Sequence, residues 1–326
     1  MNRAQLTVHF TPDDAARELR DDARAGLTAR PRWLSPKWFY DAAGSELFEH
    51  ITKLPEYYQT RAEHQILSRR AGEIAARTAA TTLVELGSGS SEKTRLLLDA
   101  LHRAGTLRRF EPLDVSESAL RAAAEAIAAD YPQLLVHGVV GDFPTELAAA
   151  EPGGQRIVAF LGGTIGNLLP DERADFLAAI RAALHPGEWL LLGTDLVKDP
   201  QRLVRAYDDS SGVTAEFNRN VLRVLNRELR ADFPPEDFEH VARWNAEREW
   251  VEMRLRATRA VHVTVPELGL DLDFEPGEDI RTEVSAKFRE QRVRDELAAA
   301  GFTAEDRWLD DGGDFALWLA KAVPRG

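Results

Sequence analysis

The residues best suited to chemistry stand where apolar runs give way to glycine or acid. Residues 84–90, VELGSGS, end one such run and precede a helical pattern. Glycines at this kind of turn let the backbone approach a ligand closely. Glu92 occupies the position where a dinucleotide fingerprint needs its third glycine, and the chain has no phosphate-binding Gly-Lys-Ser/Thr loop. The acidic Glu85 therefore favours a cationic ligand over a diphosphate, the alternative being a tight turn without a ligand.

Two further acids follow the next apolar runs. Asp114 ends RFEPLD, where a carboxylate can accept hydrogen bonds from both hydroxyls of a ribose. The alternative is a helix N-cap, a role that suits Ser116 better. Asp142 and Phe143 follow the third run, where an acid can accept an adenine amino hydrogen and a ring can cover the base. Taken alone, this pair is a surface turn, but three successive strand ends together predict a nucleoside site.

A glycine-rich loop, FLGGTIGNL at residues 160–168, follows the fourth apolar run. Its Asn167 has one acceptor and two donors on a small side chain, so it could hold a nucleophile without charging it. The glycines would keep the surrounding cavity open. The alternative is that Asn167 caps the helix that begins with DERADFL.

These contacts, without any pyrophosphate motif, resemble the Rossmann-like class I methyltransferases that use S-adenosylmethionine. That co-substrate contains no phosphate and carries a positive sulfonium, which fits both observations. The resemblance implies an α/β fold with a parallel sheet whose carboxyl edge binds the nucleoside.

More of the chain is similar to one family, the histidine-specific Nα-methyltransferases of ergothioneine biosynthesis. The likeness covers nearly the whole length and includes motifs outside the methyltransferase core. These motifs are LVELGSGSSEKTRLLLDAL, FLGGTIGNL, KWFYDAAGSELFEHITKLPEYYQTR, LLGTDLVKD, RAYDD, GVTAEFNRNVL and EVSAKF. Small departures are Gly163 in place of a serine and Ala286 in place of a cysteine.

The resemblance implies that S-adenosylmethionine methylates the α-amine of L-histidine three times, giving hercynine. It assigns residues to three groups. The cofactor contacts are Gly87, Lys93, Asp114, Asp142 and Phe143; the histidine contacts are Tyr57, Asn167, Tyr207, Glu283 and Ser285; Tyr40 and Met253 line the same cavity. Asn167 would orient the amine, and Tyr40 could relay its proton.

These residue types suit histidine. Tyr57 and Tyr207 are donors for the carboxylate, Glu283 accepts an imidazole N–H, and Ser285 serves the other ring nitrogen. Glu283 is therefore the predicted specificity residue. From the pattern alone, Glu283 is instead a strand residue in a solvated ion pair with its neighbours, and Tyr57 is a packed turn aromatic.

The elements that must position these residues fall into two groups. The first fifty residues are predicted to be helical, and from Thr81 to Val197 five strands alternate with helices, which indicates a parallel sheet. Residues 199–242 look helical, 247–275 alternate as antiparallel strands, and the tail resembles a closing strand pair. We therefore expect a methyltransferase domain at 62–197 plus 288–322 and an α+β substrate-binding domain at 9–61 plus 198–287.

Composition excludes several classes of function. Lysine and arginine total 41 against 54 acids, so no basic face for nucleic acid is expected. There are no cysteines for disulfides or thiolates, the eight histidines lack paired metal-site spacing, and no apolar stretch is long enough to span a membrane. The opening residues have no signal-peptide core, so we expect a cytoplasmic protein. We also expect a monomer that binds no metal.

Three alternatives remain at this stage. A nicotinamide-dependent dehydrogenase is opposed by the missing third glycine. A catalytically silent ligand-sensing module would bind both small molecules without turnover. A related methyltransferase could act on another aromatic amino acid.

Overall fold

The computed structural model describes residues 4–89, 91–141 and 154–324. The chain divides into two compact units. The first unit comprises Met1–Phe10, Gln59–Val197 and Phe288–Gly326, and the second comprises Thr11–Tyr58 and Lys198–Lys287.

The first unit is built on an eight-stranded sheet. Numbered in chain order over both units, its strands are β1 Gln5–Val8, β3 Thr82–Leu86, β4 Arg109–Asp114, β5 Leu135–Val140, β6 Arg156–Phe160, β7 Trp189–Asp195, β13 Phe302–Leu309 and β14 Phe315–Ala322. Their spatial order is β1-β5-β4-β3-β6-β7-β14-β13. All neighbours are parallel as far as β7, whereas β14 runs antiparallel to both β7 and β13. The predicted parallel sheet and the closing strand pair are both present.

The direction of winding reverses between β3 and β6. From β3 the chain proceeds through β4 to β5 on one side, and then returns to β6 and β7 on the other. Such a reversal places a ligand crevice at the carboxyl ends of the two central strands. Every residue of β3, β6 and β7 is buried, as expected of parallel strands covered on both faces.

Five helices lie in the described residues of this unit. They are α3 Gln59–Thr78, α4 Arg95–Arg103, α5 Glu117–Asp130, α6 Pro170–Ala183 and α9 Glu290–Ala299. The apolar face of α3 packs on the sheet core through Ile66, Leu67 and Ile74, all nearly fully buried. This packing determines the position of the first turns of α3, which contribute a side chain to the candidate site.

The second unit combines helices with a smaller sheet. Its helices are α1 Pro12–Thr28, α2 Ala42–Ile51, α7 Pro200–Tyr207 and α8 Val213–Leu229, and its strands are β2 Arg32–Trp33, β8 Phe238–Asn245, β9 Trp250–Ala257, β10 Val261–Val265, β11 Leu270–Phe274 and β12 Asp279–Ala286. The order β2-β12-β9-β8 forms one sheet, and β10 pairs with β11 in a separate hairpin. Helix α8 buries Phe217, Val221 and Leu225 in the core of this unit.

Two sequence predictions are wrong in detail. The opening residues are not all helical, because Gln5–Val8 forms β1 and pairs in parallel with β5. Residues 199–242 are not helical throughout, since α8 ends at Leu229 and β8 begins at Phe238. Pro234 and Pro235 lie between them, and proline is excluded from a helix interior because it lacks the N–H and clashes with the preceding turn. In the part of the chain described here, no helix is long and apolar enough to cross a bilayer.

Candidate active site

The glycine loop after β3 turns on two left-handed residues. Gly87 has φ 65° and Gly89 has φ 49°, conformations that a side chain would strain. The amides of Gly87 and Ser88 donate to the carbonyl oxygen of Leu113 at 2.9 and 3.1 Å. The loop therefore lies against the end of β4, at the carboxyl edge of the sheet.

Glu85 holds this loop from inside. Its buried carboxylate accepts hydrogen bonds from Ser91 Oγ at 2.8 Å and from Thr94 Oγ1. Burial raises the pKa of Glu85 to about 7, although the two hydroxyls act in the opposite direction. Both oxygens are thus engaged by the protein, so the suggestion that Glu85 faces a cationic ligand is not supported.

Asp114 lies at the end of β4 and bridges two turns. Its Oδ2 accepts from the amide of Gly89 and its Oδ1 from the amide of Ser116, both at 2.9 Å. Ser116 is the N-cap residue of α5, as the sequence predicted, although its side chain makes no capping hydrogen bond. Burial raises the pKa of Asp114, and these backbone bonds oppose the rise. Because each carboxylate oxygen has two acceptor sites, Asp114 can still accept from ribose hydroxyls.

Lys93 has a partner that sequence reasoning did not identify. Its Nζ forms an ion pair with Glu63, a fully buried residue in the first turns of α3. The same carboxylate accepts from the amide of Gly162 at 2.8 and 3.0 Å. Glu63 packs where Gly193 of β7 has no side chain, since a Cβ there would lie 2.3 Å from Glu63 Oε1. Glu63 therefore ties the loop after β3 to the loop after β6.

Asn167 ends a short 3₁₀ helix, Thr164–Asn167, in the glycine-rich loop after β6. Its half-buried side chain has no hydrogen-bond partner within the described ranges. It does not cap α6, because Glu172 accepts from the amide of Leu169 at 2.7 Å and takes that role. The structure thus leaves the amide of Asn167 available for a ligand. The predicted contacts Asp142 and Phe143 lie outside the described residues.

In the second unit, a β-bulge decides which way Glu283 faces. Arg281 pairs with Arg254 and Glu283 pairs with Met253, so Thr282 is an extra residue in β12. With regular alternation along the strand, the side chains of Glu283 and the buried Ile280 would lie on opposite faces of the sheet. The extra residue instead brings both onto the face that carries Met253 and Leu255.

The carboxylate of Glu283 is buried without a protein partner. The residue is 8% exposed, and nothing in the described chain donates a hydrogen bond to it or pairs with it. Burial raises the pKa of Glu283 to about 7, and the positive charge of Lys287 partly offsets that rise. A buried acid without donors is expensive, which indicates a ligand that supplies an N–H. The sequence alternative of a solvated ion pair is not what the structure shows.

The side chains of Tyr207 and Ser285 contact each other, and Ser285 lies two residues after Glu283 in β12. The Tyr207 hydroxyl, at the end of α7, lies 2.7 Å from Ser285 Oγ. Lys287 Nζ donates to both oxygens, at 2.8 Å to Tyr207 and 2.9 Å to Ser285. All three side chains are buried.

Tyr40 and Tyr57 belong to an aromatic cluster in the same unit. The ring of Phe48 lies edge-on to both, with centroids 5.5 Å from Tyr40 and 6.1 Å from Tyr57. Phe217 of α8 completes the cluster at 5.5 Å from Tyr40 and 5.9 Å from Phe48. The sequence analysis did not identify Phe217, which lies in a segment that was expected only to be helical.

A buried hydrogen-bond chain supports the bulge. Thr282 Oγ1 donates to Asn218 Oδ1 at 2.6 Å, and Asn218 Nδ2 lies 2.8 Å from His240 Nδ1. His240 Nε2 lies 2.8 Å from the carbonyl oxygen of Tyr207. An amide donating to Nδ1 requires the neutral ring protonated at Nε2, and burial lowers the pKa of His240 accordingly. The chain therefore connects the bulge beside Glu283 to the end of α7.

The family model described as histidine-specific methyltransferase, SAM-dependent, matches residues 19–322. The histidine N-alpha-methyltransferase of Mycolicibacterium smegmatis is 58% identical over 97% of this chain and 98% of its own length. The protein of the same name from Mycobacterium tuberculosis is 55% identical over 98% of this chain and 99% of its own. Ergothioneine biosynthesis protein 1 of Neurospora crassa is 36% identical over 69% of this chain, which spans 24% of that longer protein.

Proposed function

The chain belongs to the family of histidine-specific, S-adenosylmethionine-dependent methyltransferases, and we propose that it converts L-histidine by three successive Nα-methylations to hercynine. The family membership confirms the resemblance found in the sequence. The observation that carries the choice of amino acid is Glu283, a buried carboxylate that lacks a partner in the described residues. An imidazole N–H supplies the missing donor.

Binding of S-adenosylmethionine is assigned to the first unit. Gly87 lets the backbone approach the co-substrate, Asp114 accepts from the ribose hydroxyls, and Lys93 donates beside Gly162. Asp142 and Phe143 are proposed to contact the adenine. The position of these groups after β3 and β4, at the carboxyl edge of the sheet, supports this assignment.

Recognition of the histidine side chain is assigned to the second unit. Glu283 accepts one imidazole N–H, and Ser285 engages the other ring nitrogen. Tyr207 and Tyr57 donate to the carboxylate, while Met253, directly opposite Glu283 in the β9–β12 register, packs on the ring. Without an imidazole, the buried ionised carboxylate would be left unpaired at a cost of about 3–5 kcal/mol, which disfavours tyrosine or leucine as substrate.

The reaction is an in-line displacement. The lone pair of the amine forms a bond to the methyl carbon while the carbon–sulfur bond breaks, and the positive charge moves from sulfur to nitrogen. The amine must be neutral before each attack. One proton therefore leaves before the first attack, and one more leaves after each of the first two methyl transfers, through Tyr40 or water. Asn167 accepts one amine N–H and so aims the lone pair. Such alignment lowers the barrier by about 7–11 kcal/mol.

The growing cation needs a surface that attracts it without donating hydrogen bonds. After two methylations the amine has no N–H left, and the final product is a quaternary ammonium. The cluster of Tyr40, Phe48, Tyr57 and Phe217 offers aromatic rings whose faces attract a cation. Cation–π contacts of about 0.5–2 kcal/mol each would stabilise the later intermediates.

One incubation tests the activity. The purified protein with S-adenosylmethionine and L-histidine is expected to give mono-, di- and trimethylhistidine by mass. Turnover of another aromatic amino acid but not of histidine would retain the chemistry and refute the substrate. Binding of both small molecules without any methylated product would instead identify a ligand-sensing protein.

The same assay tests the assigned site. Glu283→Ala is expected to reduce kcat/KM for histidine by about 100-fold or more, because an N–H of the ring loses a charged acceptor. The Kd of S-adenosylhomocysteine should change little. Equal losses in both would remove Glu283 from the histidine site. Cytoplasmic localisation stays a prediction. The monomeric state is also a prediction, which analytical sedimentation checks.

A further inference from the structure

Helix α8 carries two buried asparagines, Asn218 and Asn220, in a segment that contains no predicted ligand contact. The segment is GVTAEFNRNVL, residues 212–222, and both side chains are almost fully buried. An α-helix has 3.6 residues per turn, so two residues that are two positions apart point to nearly opposite sides of it. Buried amides are normally hydrogen-bonded, so the partners of each asparagine show which parts of the unit α8 holds.

The side-chain amide of Asn218 is fully engaged on the side of the sheet. Its Nδ2 donates to the carbonyl oxygen of Arg254 at 3.1 Å and lies 2.8 Å from Nδ1 of His240. A carbonyl oxygen has no proton, so the nitrogen of the amide must be the atom that faces Arg254. Oδ1 of Asn218 accepts from Thr282, the extra residue of β12, at 2.6 Å. Asn218 therefore fixes to α8 the bulge that directs Glu283.

The side-chain amide of Asn220 holds the backbone on both sides of Tyr40. Its Nδ2 donates to Oδ1 of Asp41 at 2.7 Å and to the carbonyl oxygen of Phe39 at 3.3 Å. Phe39 is the last residue of a short 3₁₀ helix, and Asp41 is the N-cap of α2. Only Tyr40 lies between these two anchored residues, so Asn220 fixes the backbone from which the ring of Tyr40 projects.

The same side of α8 also carries a ring of the aromatic cluster. Phe217 is three residues before Asn220, a spacing that makes the two side chains neighbours on the helix surface. The ring of Phe217 lies 5.5 Å from that of Tyr40 and 5.9 Å from that of Phe48, a residue of α2. One side of the helix thus supplies one ring of the cluster and the amide that holds the segments carrying two others.

We propose that Asn218 and Asn220 are positioning residues that divide substrate recognition between two sides of one helix. Asn218 positions the strand that carries the acceptor for the imidazole, and Asn220 positions the aromatic rings that receive the methylated amine. The inference rests on the proposed function and deepens it, because it separates the control of ring binding from the control of how many methyl groups are added.

Two substrates distinguish the two roles. L-Histidine and Nα,Nα-dimethyl-L-histidine share the imidazole and differ only at the amine. In Asn218→Leu, KM should rise about 10-fold for both substrates, because both present the same ring, while the initial rate at saturation changes far less. The Kd of S-adenosylhomocysteine should be unchanged.

Asn220→Leu should instead discriminate between the two substrates. The dimethylated amine has no N–H and depends on the aromatic rings, so kcat/KM for dimethylhistidine is expected to fall about 5-fold or more. Histidine can still be held through its N–H groups and should lose about 2-fold at most. Dimethylhistidine should therefore accumulate when this variant is given histidine.

A third asparagine of α8 provides the matched control. Asn226 Nδ2 donates to the carbonyl oxygen of Phe233 at 2.7 Å, and its Oδ1 accepts from the amide of Phe233 at 2.9 Å. Asn226→Leu should lower the free energy of unfolding and leave the kinetic constants for both substrates unchanged. The inference is overturned if Asn218→Leu and Asn220→Leu affect the two substrates in the same way, or if either variant behaves like Asn226→Leu. Wild type that methylates neither substrate would instead overturn the proposed function.

Two further variants cover the case in which a leucine variant does not fold, which loss of S-adenosylhomocysteine binding would show. His240→Phe removes the ring nitrogen that faces Asn218 and should again raise KM for both substrates equally. Gly44→Ala would place a methyl group 1.7 Å from the carbonyl oxygen of Phe39, so α2 must move away, and dimethylhistidine should again be the more affected substrate. The reverse pattern in either variant would contradict the division of roles.

Discussion

Glu283 is a buried residue whose carboxylate receives no hydrogen bond from the described residues. Its pKa is raised to about 7 by burial, even with the charge of Lys287 acting against the rise. Asn167 shows the same feature in neutral form, an amide without a partner in the described part of the chain. Polar groups without hydrogen-bond partners cost free energy in the ligand-free protein, and a ligand can supply the missing partner. Such groups therefore indicate a binding site.

The pKa of Glu283 predicts a stability difference that depends on pH. The folded protein binds this proton more tightly than the unfolded chain, whose pKa is 4.5, so the stabilising contribution is present below that pH and is lost as the pH rises towards about 7. Glutamine does not titrate, so the Glu283→Gln variant does not lose this contribution to stability as the pH rises. In ligand-free protein, the free energy of unfolding of Glu283→Gln relative to wild type should therefore increase between about pH 5 and about pH 7.5, by at most about 3 kcal/mol.

Urea unfolding at the two pH values measures this difference. Glu85 and Asp114, whose pKa values burial also raises, are present in both proteins, so their titration cancels. A relative stability that does not vary with pH would mean that Glu283 is hydrated in the free protein.

At the scale of elements, short connections place the groups that individual residues supply. In the first unit Glu63 joins two loops by accepting from Lys93 and Gly162, and in the second the bulge at Thr282 turns Glu283 inward. Each arrangement depends on residues that are distant in sequence: Glu63 with Lys93 and Gly162, and β12 with β9. Each one makes a separate prediction.

Thr282→Val should disturb the bulge while keeping the shape and strand preference of the side chain. Loss of the hydroxyl leaves Asn218 Oδ1 without its donor, at a cost of about 1–3 kcal/mol in unfolding free energy. KM for histidine should rise several-fold, with S-adenosylhomocysteine affinity unchanged. Thr282→Ser retains the hydroxyl and should behave like wild type; a serine variant as impaired as the valine variant would contradict the role of this hydrogen bond.

Glu63→Gln should weaken binding of the co-substrate. The change removes the charge that pairs with Lys93 and one of the two acceptors near Gly162, so both loops lose their common anchor. The Kd of S-adenosylhomocysteine, measured by calorimetry, is expected to rise about 10-fold. Glu73→Gln on the same helix, where the exposed side chain pairs only weakly with Arg70, is the control and should have no effect. Equal Kd values for the two variants would refute the role of Glu63.

At the scale of the whole molecule, the chain combines a doubly wound sheet with a second α+β unit inserted in two segments. The fold class predicted from the sequence is confirmed by this topology together with the family. The first unit carries the residues assigned to the co-substrate, and the second carries those assigned to the histidine side chain. Methyl transfer itself moves charge between sulfur and nitrogen and needs no Lewis acid.

Activity should therefore survive removal of metal ions. Within residues 4–89, 91–141 and 154–324 no three histidine, aspartate or glutamate side chains gather as a metal site would require. Dialysis against EDTA is expected to leave kcat and KM for histidine unchanged, as measured by product mass. Loss of activity that Zn²⁺ or Mg²⁺ restores would show that a metal takes part.

What the sequence determined by itself is local: the alternation of strands and helices between Thr81 and Val197, the glycine turn after β3 and the family motifs, because each depends on residues close together in the chain. The tertiary structure alone decided the rest. Glu63 acts on groups 30 and 99 residues away, a pairing that no local pattern encodes. Alternation in β12 reads as an outward Glu283, and only the pairing with β9 reveals the extra residue that turns it inward, because a bulge is defined by the partner strand.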